Sequence, residues 1–289
     1  MIVDVHAHLD PRLLEVESAL AKMDAAGVER VGLIPAMNDP VPESPITKPT
    51  LAVMRRLMNS PARPLAELIH RTTMREDAVK LGGLEFPLYP QPDNDAVVDI
   101  VEAHPTRFFG WIFLNPGRDP NVLETLERYR SVPGMLGVKL HPHWHDYKTD
   151  ILGPVFRRCE ALGLPVLIHL GFGKRGDFHS ICERYPRLRV IAAHAGFPFF
   201  SALWRYKNQY PNLNVDLSSP YVDERLVRET VAAMGPERCL YGTDAPYGFH
   251  EDDGTYDYGE ILGWVERLNV TSRERERILS TNAQRIIFG

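Results

Sequence analysis

The chain has 289 residues, 44% of them hydrophobic and 25% charged, with a net charge of -5; this composition is that of an ordinary globular protein and excludes a disordered or fibrous one. The negative balance offers no basic field for a phosphate backbone, so nucleic acid is not expected as a partner. The length suits a single α/β domain covering 1–289, a (β/α)8 TIM barrel of about 250 residues with insertions, better than two small domains.

Short apolar runs alternate with amphipathic stretches, the pattern of repeated βα units around a parallel sheet. Strands are predicted at 2–5, 30–35, 108–114, 136–140, 165–168, 189–193, 213–217 and 239–243. Between them, apolar residues at helical spacing predict helices at 12–26, 122–129, 152–162, 178–185, 224–234 and 258–268. Gly27, Gly163 and Pro186 stand where helices should stop. A last amphipathic segment, 272–287, is expected to cover the barrel exterior. The stretch 37–94 breaks the alternation with many prolines and two helix candidates, one around Arg55 and Arg56 and one at 65–80. Inserted after the second strand, it would emerge on the rim where βα loops shape access, as a lid or a dimer contact.

Cys159, Cys182 and Cys239 are odd in number and lack metal-finger spacing, which suits buried thiols in a reducing compartment. The chain opens directly on a strand, with no leader pattern, and no apolar run is long enough to span a bilayer. A soluble cytoplasmic protein without a membrane partner is expected.

Metal-ligand residue types recur behind these runs: His6 and His8, Lys139, His169, His194 and Asp244. Strand ends converge on one rim of a parallel barrel, so these residues are expected to meet. In His6-Ala7-His8 the two imidazoles point to one face of a strand and can share a cation. A hydrolytic zinc site takes three or four N and O ligands and leaves one position open, and His169 and Asp244 would complete that set. Zinc is the first expectation for one or two divalent ions, with manganese, iron or cobalt suited to the same groups.

An ammonium cannot ligate a metal, and Lys139 inside an apolar strand is costly unless paired, deprotonated or modified. Three readings stay open: a carbamate bridging two metals, a cation that binds an anionic substrate, or an inward lysine paired with Asp244 or Asp216. His141, two residues on, would share its face and could also touch substrate. Asp216 is a candidate hydrogen-bond partner for a metal-bound histidine. On the rim, His143, Trp144, His145, Tyr247, Phe249 and His250 are candidate contacts, as are Arg55, Arg56, Lys174 and Arg175 for a substrate carboxylate. His70, His104 and His179 fall in helix-like stretches and receive no role. No glycine-rich phosphate loop is present.

From Val3-Asp-Val-His-Ala-His8 through Tyr241-Gly-Thr-Asp-Ala-Pro246 to the closing Asn282-Ala-Gln-Arg-Ile-Ile-Phe288, the chain resembles the amidohydrolase superfamily. The likeness is to the amidohydrolase-related branch that also holds aminocarboxymuconate-semialdehyde decarboxylase and related decarboxylases. The resemblance implies His6, His8, His169 and Asp244 as metal ligands, and His194 as a second-metal ligand or a catalytic group. Lys139 stands where binuclear members such as phosphotriesterase and dihydroorotase carry a carboxylated lysine, which favours hydrolysis; the decarboxylases resemble mononuclear enzymes.

The leading expectation is a metal-dependent hydrolase in which activated water attacks an ester, lactone or amide of a small carboxylated molecule. Asp244 would carry the proton and His194 would orient the water or stabilise the oxyanion. The alternatives are a mononuclear non-oxidative decarboxylase and a catalytically silent barrel acting as a binding protein. A homodimer is possible by analogy with the related decarboxylases.

Overall fold

The computed structural model describes residues 1–10, 12, 14–39, 47–75, 78–81, 84–218, 220–247 and 256–289. Eight strands form one parallel sheet: β1 (Val3–Leu9), β2 (Arg30–Pro35), β6 (Phe108–Leu114), β7 (Met135–Leu140), β8 (Val166–Ile168), β9 (Val190–Ala192), β10 (Leu213–Asp216) and β11 (Cys239–Leu240). They run in that order, as the predicted βα alternation requires. The sheet curls nearly shut, because Val5 N donates to Tyr241 O at 3.0 Å and Ala7 bridges Ala245 in parallel. Strands buried on both faces need continuous apolar runs, and β6 is buried along its whole length.

The helices α1 (Val16–Ala26), α5 (Val122–Arg130), α6 (Gly153–Leu162), α7 (Phe178–Arg184), α10 (Glu224–Met234) and α11 (Tyr258–Glu266) follow strands on the outside. As the sequence predicts, α1 and α6 stop at Gly27 and Gly163, at φ 69° and 67°, the left-handed conformation glycine adopts without a Cβ penalty. Two short turns, α8 (Ala193–Gly196) and α9 (Ser201–Trp204), follow β9. Helix α4 (Asn94–Ala103) was not foreseen; the Asp93 carboxylate accepts from Asp95 N, and Asn94 exchanges two hydrogen bonds with the Phe113 backbone.

The stretch 37–94 holds α2 (Thr47–Met58) and α3 (Arg63–Thr73), then an antiparallel sheet of β3 (Met74–Arg75), β4 (Ala78–Leu81) and β5 (Leu84–Pro87). The expected helix at 65–80 therefore ends at Thr73, where cross-strand pairs such as Val79 with Phe86 replace helical spacing. Gly82 and Gly83, between β4 and β5, lie outside the described residues.

Register shows what fills the barrel. Lys139 is flanked by Phe113 and Leu167, Leu167 by Ile191, and Trp111 by Gly137. Of these, Trp111, Phe113, Leu167 and Ile191 form a core cluster with Val3, Val5, Ile34 and Leu240. The closing segment after α12 (Ser272–Glu276) joins the same cluster through Ala283, Ile286 and Ile287. Phe288 meets the Phe109 ring at 5.2 Å. This corrects the expectation of an exterior cover: the end of the chain plugs the barrel at the end opposite the histidines. Apolar side chains that would have lain on a helix-covered flank instead close the open bottom of the core.

A glycine is required at 137, where a Cβ would stand 2.4 Å from Trp111 Cζ3 and 3.0 Å from Pro165 O. Overpacking of this kind costs about 1–3 kcal/mol. Gly137→Ala should therefore lower the unfolding free energy by that amount, read by chemical unfolding. Among the described residues, no helix is long and apolar enough to cross a membrane.

Candidate metal centre

The site begins with an irregularity in β1. Asp4 pairs with Val31 and Ala7 with Leu33, so three steps on β1 oppose two on β2. This bulge inserts one residue and changes which face the following side chains occupy. Val3 and Val5 therefore point into the barrel, and so do His6 and His8, whose partner in register is the inward Ile34.

Three imidazoles are oriented the same way. His6 Nδ1 meets Asp216 Oδ2 at 2.9 Å, His8 Nδ1 meets Pro35 O at 3.3 Å, and His194 Nδ1 meets Ser218 O at 3.3 Å. The Ser218 hydroxyl donates to Asp216 Oδ1 at 2.5 Å and so accepts from His194 Nδ1 at 2.9 Å. With Nδ1 protonated toward these acceptors, each ring keeps its Nε2 lone pair free. His6 Nε2 and His8 Nε2 each lie 3.3 Å from Asp244 Oδ1. His6, His194 and Asp244 offer ligand atoms that all lie within 4.8 Å of one another.

His169 stands one ring further on, with centroids 4.6 Å from His194 and 4.2 Å from His141. Its Nε2 is buried and has no hydrogen-bond partner among the described residues. A buried polar atom left unpaired is costly, so the donor chemistry and this orphaned nitrogen together fit a bound cation. The structure thus gathers His6, His194 and Asp244 most tightly, sets His8 against Asp244, and leaves His169 at the edge of the group.

Lys139 is fully buried, and its Nζ lies 3.1 Å from His6 Nε2, the position a cation would take against that lone pair. Among the described residues no carboxylate comes within ion-pairing distance of Nζ. The paired reading of this lysine therefore has no contact behind it, although Asp216 and Asp244 act on it through space. Burial lowers Lys139 to about 8, with those two carboxylates holding it up against a larger fall. Burial and then Lys139 bring His6 down to about 3. Burial would raise Asp216, yet the His6 and His194 rings and the Ser218 hydroxyl hold it below the usual carboxylate range.

Asp244 sits at φ 63°, strained for a residue with a Cβ, and its N–H donates to His6 O at 2.7 Å. Asp4, which the sequence did not single out, stitches β1 to the segment that follows β11. It accepts from His6 N at 3.0 Å, Thr243 N at 3.1 Å and Thr243 Oγ1 at 2.5 Å. Burial raises it to about 7, against those hydrogen bonds.

The walls come from loops. Tyr221, also missed, stands 5.1 Å from the His194 ring, 5.4 Å from His169 and 4.3 Å from Phe197, and its side chain bonds to Trp144. His141 is buried beside His169, its Nδ1 accepting from Trp144 N at 3.1 Å. His143 stacks on His169 at 4.7 Å, and the Tyr247 ring meets His8 at 5.3 Å. His145 binds Tyr89 O at 3.0 Å and so secures the end of the insertion. Phe249 and His250 lie outside the described residues, as does the side chain of His70. Arg55 donates to Pro220 O at 3.0 Å and pairs with Asp223 at 3.4 Å, next to the Tyr221 backbone. Arg175 is engaged with Asp146. His179, bonded to Tyr210, and His104, at the end of α4, are structural.

A family model described as amidohydrolase matches residues 3–288. Over 251 residues the chain is 23% identical to a gamma-resorcylate decarboxylase of Polaromonas sp. (strain JS666), covering 67% of this chain and 74% of that protein. It is also 23% identical over 235 residues to a 2-amino-3-carboxymuconate-6-semialdehyde decarboxylase of Dictyostelium discoideum, covering 66% of this chain and 64% of that one. The solved structure of a dihydroxybenzoic acid decarboxylase from Polaromonas sp. JS666, with bound manganese and the inhibitor 2-nitroresorcinol, superposes with a TM-score of 0.62 at 18% identity. It covers 99% of this chain and 96% of its own. That likeness establishes the fold.

Proposed function

The chain belongs to the amidohydrolase family, and from that premise we propose that it is a metal-dependent enzyme that removes carbon dioxide from a small carboxylic acid. The observation that carries this reading is Lys139, a buried amine 3.1 Å from His6 Nε2 and free of any carboxylate partner among the described residues. An ammonium held in this position would anchor and orient an anionic acid beside the ion, so that electron density can pass from its carboxylate into the rest of the substrate as carbon dioxide leaves. The curated relatives are both decarboxylases, although the chain spans only 74% and 64% of their lengths.

His6, His8, His194 and Asp244 would hold the ion, with His169 beside them. When bound, it supplies a Lewis acid that draws electron density from the substrate. Zinc suits these donors, as does manganese, the ion in the structural relative. In the reaction, the bond from carbon to the carboxylate breaks, the electron pair stays on carbon, and a proton takes its place. Asp244 carries that proton, Lys139 and His141 orient the acid, and Trp144 and Tyr221 exclude water. One proton is consumed for each carbon dioxide released.

Hydrolysis of an ester, lactone or amide is the second reading. It is favoured by the lowered proton affinity of Lys139, since a neutral amine is the form that combines with carbon dioxide to give a metal-bridging carbamate. A panel of small aromatic and dienoic acids, assayed for carbon dioxide alongside esters, lactones and amides assayed for hydrolysis, separates the two. Carbon dioxide in equal amount to decarboxylated product supports the first reading; hydrolysis alone overturns it.

The insertion acts as a lid on the Tyr221 side of the mouth. Besides Arg55, Asn59 bridges it to the barrel by donating to Glu229 at 3.2 Å and accepting from Ser201 at 3.0 Å. Hydrogen bonds from a charged group are worth about 1.5–3 kcal/mol. Arg55→Ala should therefore lower kcat/KM by about tenfold or more, measured by steady-state kinetics, while metal content stays at the parent value.

A further inference from the structure

A cavity of about 460 Å³ lies between the start of α3, the segment leading from β8 into α7, and α9; its lining includes Arg63, Lys174, Asp177, Phe199, Arg205 and Tyr206. It shares no residue with the His6, His194 and Asp244 cluster. Three cations from three elements thus converge on one space. Among the described residues none of the three has a carboxylate partner, whereas other arginines such as Arg175, Arg225 and Arg228 are paired. The one acid in the lining among the described residues, Asp177, caps α7, where it accepts from Ser180 N at 3.1 Å and Ser180 Oγ at 2.7 Å.

The wall between these charges is aromatic. The Arg63 guanidinium lies 5.2 Å over the Phe199 ring, and Phe199 meets Phe178 edge to face at 5.5 Å. Three cations against the single charge of Asp177 leave a positive surplus, and an anion that enters among them relieves it at short range. A flat apolar body would use the ring faces, and the volume lies within the roughly 300–1,000 Å³ of small-molecule sites. We propose that this cavity binds a small aromatic dicarboxylate, which bridges the insertion, through Arg63, to the barrel, through Lys174 and Arg205. The site stands apart from the proposed reaction and does not depend on it.

The test is calorimetric titration of the full chain with isophthalate at low salt, together with hydrogen exchange of α3. Lys174→Ala/Arg205→Ala removes two exposed charges, and an unchanged ligand-free Tm establishes that it folds. The expected result is a binding event that protects α3, weakens at least tenfold in the double variant, and persists in His6→Ala. Three results would overturn the proposal: no binding, identical isotherms and α3 exchange in parent and double variant, or loss of the event with His6→Ala, which would place the ligand at the metal centre.

Discussion

His6→Ala is expected to take the chain from a stoichiometric metal content to almost none and to abolish turnover, with the barrel intact. The argument rests on where His6 sits. Its Nε2 faces Asp244 at 3.3 Å while its Nδ1 is fixed by Asp216 at 2.9 Å, so it is both a candidate ligand and the ring whose tautomer is most firmly set. Removing it also leaves the Asp216 carboxylate and the Lys139 amine facing a space with no imidazole between them. The companion variant Asp216→Asn keeps the His6 ring but weakens its orientation. Loss of such a supporting partner typically costs about 10–100-fold in metal affinity or activity. Metal analysis after dialysis, with circular dichroism as the control for folding, should give the order parent, Asp216→Asn, His6→Ala. Full metal retention in His6→Ala would remove His6 from the ligand set.

Asp244→Asn is expected to keep the fold and to lower kcat by about 10²–10⁴, the usual contribution of a positioned proton carrier. The backbone at 244 is held independently of the carboxylate, by its N–H to His6 O at 2.7 Å and by the Thr243 to Asp4 hydrogen bonds on the adjoining residue. Asparagine tolerates the left-handed φ of 63° better than most residues, so the loss reads out chemistry and not misfolding. The carboxylate is held below its usual range: burial would raise it, but His194, His8 and His6 outweigh burial. Asparagine has neither the charge nor an oxygen that can take up a proton and pass it on. Because Asp244 is also a candidate ligand, metal content is measured on the same samples. A variant that keeps both metal and kcat would exclude Asp244 as the carrier.

The barrel was legible because its signal is one-dimensional. Strands such as 30–35 and 108–114 are apolar runs that burial on both faces demands, and both appear with those limits. The gathering of ligand-type residues at strand ends was legible for the same reason. What escaped the sequence needs register or three-dimensional neighbours. The bulge in β1 is invisible in Val3-Asp-Val-His-Ala-His8, because only pairing with β2 reveals the extra residue. Asp4 reads as one more polar residue until Thr243 arrives from the other end of the chain. Ser218 and Tyr221 lie in a loop with no periodicity, so nothing local marks them as partners of His194. The closing segment is amphipathic in either role, and only closure of the barrel shows that Ile286 and Ile287 enter the core. The chemical state of Lys139 is of another kind: amine and carbamate share one residue letter.

That state decides the central claim, so the most direct measurement is metal content per chain by elemental analysis on protein purified without chelators, repeated on Lys139→Ala. With Lys139 unmodified and cationic beside a single ion, the stoichiometry should be near one in both proteins. A value near two that falls on mutation would contradict this account and establish a lysine-bridged binuclear hydrolase.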